Sequence, residues 1–178
     1  MTKLKVINLI APPGAGKSTL AAALFSALKM EHISVELIPE YAKTVVWWGR
    51  HREIEDQFYI TAKQHHKQFM MRGKTDLIVT DSSIILGLLY QPEWWNKDLS
   101  GSFKEVVKGH LNLYDNKFYF IERDHAYVQE GRSQTEEQAE MVRLDLISLM
   151  SELGLEYVNI KADKESVGNI RKDLEGWL

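Results

Sequence analysis

Short apolar runs alternate along this chain with longer segments in which apolar residues recur at helical spacing. The runs are LKVINLI (4–10), SVELI (34–38), DLIVT (76–80), KFYFIE (117–122) and LEYVNI (155–160). Each has the length of a strand, and several are apolar without interruption, as expected where a sheet is covered on both faces. Helical spacing runs through 17–30, 53–72, 82–90, 102–113, 135–153 and 164–177. This alternation predicts an α/β fold, a parallel sheet between two layers of helices. In 135–153 a capping box is available to Ser133 with Glu136 or to Thr135 with Gln138, and Met141, Leu144, Ile147 and Leu149 supply an apolar stripe that stops before Gly154. Two connections, 91–102 and 123–134, are long for a compact domain, and loops of that length usually carry function.

Composition narrows the picture further. A chain of 178 residues accommodates one substantial core, so residues 1–178 read as a single domain. No apolar run is long enough to cross a bilayer, and the stretch after the N-terminal lysines runs into a Pro-Gly turn in place of a cleavage site, so no signal peptide is read. Cysteine is absent, which excludes disulfides and thiolate metal sites and makes the cytoplasm the default compartment. With a net charge of −3, no global positive field favours nucleic acid or an anionic membrane. The oligomeric state is not legible.

The chemistry concentrates in APPGAGKS (11–18), which fits G-x-x-x-x-G-K-[ST] apart from Ala11 at the first glycine. A polyphosphate needs several backbone N–H groups converging on its oxygens, and Gly14 and Gly16 permit the partly left-handed backbone that makes such a nest. Pro13, Gly14, Ala15 and Gly16 form the loop, the following helix adds its positive end, Lys17 reaches the β- and γ-phosphates of ATP, Ser18 ligates Mg²⁺, and Thr19 adds a phosphate contact. Asp81 ends the apolar run DLIVT, where a phosphate-loop sheet places a carboxylate on Mg²⁺ near the loop serine; the ordinary alternative is a turn or helix cap. Ser82 follows it, where motor ATPases commonly carry a water-activating glutamate, and this leans toward transfer to a bound acceptor. Glu40, at the end of another run, faces the edge where ligands bind in open α/β sheets, as a base or substrate ligand.

These residues, with PEYAKTVV, IEDQFYITAKQHHKQF, DLIVTDSSIILGLLY and YVQEGRSQTEEQAEMVRLDLISLMSELGLEYVNI, resemble the P-loop nucleoside and nucleotide kinases. The likeness runs from about Val6 to Ile160 and is nearest to the ribosylnicotinamide kinase domain of bacterial NAD-biosynthesis regulators and related phage ATP-binding proteins. It implies a three-layer P-loop NTPase fold with five parallel strands in the order 2-3-1-4-5 and a lid over ATP at 123–134. It also implies phosphoryl-clamping roles for Arg123 and Arg132, and an acceptor stacked on Trp47 or Trp48 with Tyr41 and Arg50 nearby. Since adjacent tryptophans cannot share one helix face, one of the pair is assigned to the core or an interface.

The function read from this is transfer of the γ-phosphoryl of ATP–Mg to a small nucleoside- or nucleotide-like acceptor. The alternatives are a kinase acting on a modified base or end of DNA, which the acidic balance disfavours, and an acceptor-independent ATPase or nucleotide switch. Neither NKDL (96–99) nor NKFY (116–119) supplies the N-K-x-D of guanine-specific switches. His65 and His66 read as solvent-exposed, Met70 and Met71 as packing residues, and PEWW (92–95) as a pocket cover or an interface.

Overall fold

The structure, a computed structural model, describes residues 3–123 and 135–178. Five strands, β1 (Lys5–Ile10), β2 (Val35–Ile38), β3 (Leu77–Thr80), β4 (Asp115–Glu122) and β5 (Val158–Lys161), form one sheet in the order β2-β3-β1-β4-β5. All four pairings are parallel. The fold class and strand order expected from the sequence are therefore those observed. Around the sheet lie α1 (Lys17–Met30), α2 (Tyr41–Trp47), α3 (His51–Ile54), α4 (Gln57–Phe69), α5 (Leu86–Leu89), α6 (Lys97–Leu111), α7 (Glu136–Glu152) and α8 (Ser166–Leu174).

Side chains of a strand alternate between faces, and the central strands use both faces for burial. Ile7 and Leu9 of β1, with Tyr119 and Ile121 of β4, pack against Leu20, Leu24 and Leu28 of α1 and Ile170 and Leu174 of α8. Their neighbours Ile10, Phe118 and Phe120 face the other way, onto Phe103 and Val107 of α6 and Leu146 and Met150 of α7. Burying each large side chain of this kind contributes about 1.5–3 kcal/mol. The uninterrupted apolar runs reflect this two-sided burial.

Several local expectations change. Residues 41–47 form a helix that the sequence reading left out, held by burial of Tyr41 and Val45 four positions apart. The helix expected over 53–72 is α4 alone, with Asp56 accepting from the Tyr59 amide as its N-cap and α3 standing separately before it. That expected over 82–90 contracts to α5, and α6 starts at Lys97, earlier than expected, because Asn96 caps it through the Leu99 amide. The capping box on α7 is the one made by Thr135 and Gln138. Its buried face is Ala139, Leu146 and Met150, whereas Met141 and Leu144 lie on the exposed side, so the predicted stripe was out of phase there.

His66 is exposed as expected, but His65 is half-buried and stacks on His110 with ring centroids 3.9 Å apart. Burial, then the neighbouring histidines, hold His65 down at about 4. Met71 packs against the core and Met70 is exposed. In PEWW, Trp95 enters the core beside Phe58 and Phe103, while Trp94 stays on the surface. Among the described residues no helix is long and apolar enough to cross a membrane.

Candidate active site

The strand order fixes the plan of the site. β3 lies between β1, which delivers the phosphate-binding loop, and β2, which delivers Glu40; Asp81 at the end of β3 stands between them. Loop, carboxylate and Glu40 therefore meet along the carboxyl edge of the sheet, where open α/β folds bind their ligands.

The loop has the backbone the motif requires. Gly14 and Gly16 have φ of 80° and 87°, a left-handed conformation that a side chain disfavours. Ala11, standing where the strict pattern has glycine, is buried in the core and is not among the residues of positive φ. Its methyl thus costs the loop no conformational freedom. Ala15 is buried, Pro13 half-buried, and Ser18 and Thr19 open to solvent at the start of α1.

Lys17 folds back over the loop and donates from Nζ to the carbonyls of Ala11 at 2.7 Å and Pro12 at 3.2 Å. Burial pushes its ammonium down, and the charges of Glu40 and Asp81 partly oppose that. No carboxylate pairs directly with it among the described residues. A half-buried cation whose hydrogen bonds go to carbonyl oxygens is poised for an anion.

Ser18 Oγ donates to Asp81 Oδ2 at 2.5 Å, and the Glu40 amide donates to Asp81 Oδ1 at 3.0 Å. Asp81, 5% exposed, ties the loop to β2 and the start of α2. It is the carboxylate beside the loop serine, and among the described residues no cluster of three or more acidic or histidine side chains offers a self-contained metal cage. This donor set suits magnesium, which takes one or two carboxylates and fills its remaining positions with phosphate oxygens and water.

Glu40 precedes α2, yet its side chain makes no capping bond, so its carboxylate remains available to the site. Burial pushes it above the usual carboxylate range; Asp81 adds to that shift, and Lys17 and Lys43 oppose it. A buried polar chain that sequence reasoning missed fixes its position. Gln64 of α4 accepts from the Tyr41 amide at 2.9 Å and donates to Thr80 Oγ1 at 3.3 Å, and Thr80 donates to the Ile38 carbonyl at 2.8 Å. Polar residues at helical spacing within IEDQFYITAKQHHKQF were the available signal, but their partners are tertiary.

Beyond Glu40, Tyr41 is buried, and its hydroxyl lies 2.8 Å from that of Tyr59. The Tyr59 hydrogen bond, with burial, pushes Tyr41 up to about 12. Trp48 meets the Tyr41 ring edge-on at 6.5 Å, and the Arg50 guanidinium lies 5.7 Å from the Trp48 ring centre while pairing with Glu53. Tyr41, Trp48 and Arg50 thus come together as expected, with Tyr59 as an addition. Trp47 makes no ring contact among the described residues and is 80% exposed, and Trp48 is 57% exposed. Of the expected alternatives for one of the two, core or interface, the core is corrected: the buried face of α2 is taken by Tyr41 and Val45.

Arg123, just past β4, donates to Glu136 of α7 at 2.6 Å. Arg132 and the rest of the expected lid, 124–134, lie outside the described residues.

Known proteins resemble this chain at two levels, fold and family. The solved structures with the same fold include one described as "Crystal structure of NadR protein in complex with NR", with a TM-score of 0.66 and 16% identity over 97% of this chain. The chain spans about half of that protein, 51% of its length, and at this identity the likeness is one of fold. No curated protein matches the sequence. The model of a family described as "AAA domain" matches residues 6–166. The chain belongs to this AAA-domain family, and it shares the fold of that solved structure.

Proposed function

We propose that the protein transfers the γ-phosphoryl group of ATP–Mg to a nucleoside- or nucleotide-like acceptor. The observation that carries this reading is Asp81 set between Ser18 and the backbone amide of Glu40, which ties the phosphate loop to the residue carrying a second carboxylate. A simple hydrolase has no need of a second carboxylate and a group of aromatic side chains on the β2 side. Here that side holds Glu40 with Tyr41, Tyr59, Trp48 and Arg50.

The roles follow from position. Backbone N–H groups of Gly14–Thr19 and the Lys17 ammonium hold the phosphate tail, with Gly14 and Gly16 keeping the backbone close to it. Ser18 and Asp81 hold Mg²⁺, which neutralises phosphate charge when bound. The bond between the γ-phosphorus and the ADP oxygen breaks as one to the acceptor oxygen forms. Glu40 takes the proton where that oxygen is a hydroxyl. Arg123 and Arg132 are assigned to charge on the transferred group, and Trp47, Trp48, Tyr41 and Arg50 to the acceptor. The absence of a glutamate after Asp81 supports an acceptor other than water. The resemblance to ribosylnicotinamide kinase domains supports a small acceptor handled in the cytoplasm.

ADP release measured with and without a panel of nucleosides, nucleotides, nicotinamide riboside and DNA, with mass spectrometry of products, tests the reading. Acceptor-dependent ADP and a phosphorylated product are expected. Full-rate hydrolysis without any acceptor overturns it. For a hydroxyl acceptor, Glu40 must be deprotonated to act, so activity rises with pH through a value above the ordinary carboxylate range. Glu40→Gln is expected to remove that acid limb and lower kcat by about 100-fold or more. A pH–rate profile of both proteins checks it.

A further inference from the structure

Lys67 of α4 was not singled out in the sequence, and the roles above do not use it. Its Nζ crosses to the β2 side of the site and donates to the carbonyl of Pro39, the residue before Glu40, at 3.1 Å. The same ammonium lies 5.5 Å from the centre of the Tyr41 ring. Two residues of the acceptor side therefore frame it, and the charge of Asp81 acts on it.

Lys67 shares the condition of Lys17. Both are half-buried, both rest on backbone carbonyls, and neither has a carboxylate partner among the described residues. Elsewhere Lys29, Lys104, Lys108 and Lys117 each pair with an acid, while Lys5 rests on the Leu178 carbonyl at the opposite edge of the sheet, away from the site. An ammonium has three donors, and the Pro39 carbonyl uses one. The strand order places Asp81 between the two lysines' docking points, with Ala11 and Pro12 after β1 on one side and Pro39 after β2 on the other. Burial lowers the affinity of both ammonium groups for their protons, the mark of charges short of compensation.

We infer that Lys67 is the anion-binding residue of the acceptor pocket, and that the acceptor carries a phosphate or similar anionic group, a nucleotide-like molecule in preference to a neutral or cationic nucleoside. The inference rests on the kinase reading and narrows it. Lys17 engages the donor phosphates on the β1 side, and Lys67 engages the acceptor's own phosphate on the β2 side, next to the ring of Tyr41. This leaves Glu40 free for the reacting hydroxyl where there is one.

Calorimetric titration of the protein saturated with ADP and magnesium tests it, using nucleoside monophosphates and their matching nucleosides as probes. At least one monophosphate is expected to bind about tenfold or more tightly than its nucleoside. Lys67→Met is expected to erase that difference and Lys67→Arg to restore part of it, with ADP affinity unchanged in both. A lysine that only staples the Pro39 carbonyl would change Tm and weaken all ligands alike. Equal binding of nucleoside and monophosphate overturns the inference, as does binding of neither, or a Lys67→Met protein that still discriminates. The kinase reading fails separately, when ADP is bound but no acceptor in the panel raises ADP formation.

Discussion

Lys17→Ala is expected to reduce turnover by about 100-fold or more, the scale of losing a positioned charge at a phosphoryl-transfer centre, with little loss of stability. In the fold this lysine donates to the Ala11 and Pro12 carbonyls, bonds worth about 1 kcal/mol each. Against that, it is half-buried without a carboxylate partner, and burial pushes its pKa down, so folding bears a desolvation cost that alanine removes. The two effects oppose each other. Tm should stay close to that of the parent, or rise, while activity collapses. Such a split identifies a side chain kept for function at the expense of stability. Wild-type ADP production by this variant contradicts the assignment of the loop. Measuring Tm alongside excludes unfolding as the cause.

Asp81→Asn should have an effect of similar size, with a different signature. The asparagine oxygen still accepts from the Glu40 amide, and its NH₂ still faces the Ser18 oxygen, so the tie between loop and β2 survives. The charge that draws magnesium is lost. Activity is expected to fall about 100-fold at ordinary magnesium, with partial recovery as magnesium rises, and Tm to change little. Asp81→Ala removes the acceptor for both bonds and should cost a further 1–3 kcal/mol or so of stability. Titrating activity against magnesium for all three proteins separates the metal role from the structural one. An Asp81→Asn protein with the parent's magnesium dependence shows that the carboxylate only braces the loop.

How much of this was legible in the sequence depended on where each signal is encoded. The five strands were legible because two-sided burial forces apolar residues at successive positions, as in LIVT of β3, where all four are buried. The phosphate loop was legible because its glycines answer a backbone need that few other sequences meet. Asp81 follows an apolar run directly and Glu40 follows one with Pro39 between, which places both at the carboxyl edge of the sheet before any packing is known. The helix α2 was missed for a physical reason. Thr44, Val45, Val46 and Trp47 are poor helix formers, Glu40 makes no capping bond, and tertiary burial of Tyr41 and Val45 supplies what propensity does not. In α7 the cap was readable from Thr135 and Gln138. The phase was not, since seventeen residues carry apolar side chains on several faces and the facing layer selects among them.

Lys67, Gln64 and Thr80 show a second limit. Nothing in their spacing marks them, because their partners are a carbonyl, an amide and a hydroxyl brought close only when α4 crosses back over β2 and β3. Polar residues of helices are normally solvated, and only burial distinguishes these. Tyr59, whose hydroxyl meets that of Tyr41, was hidden in the same way. For the two tryptophans, adjacency on a helix left core or interface open for one of them, and the core is not the outcome because Tyr41 and Val45 occupy the buried face.

The claim beneath all of these is that the loop from Pro13 to Thr19 holds a triphosphate. Isothermal titration of the purified protein with ATP and with ADP, in the presence of magnesium, measures it directly. Saturable binding of both at sub-millimolar concentration, abolished or strongly weakened in Lys17→Ala, is the expected result; no association of either nucleotide at millimolar levels would contradict it.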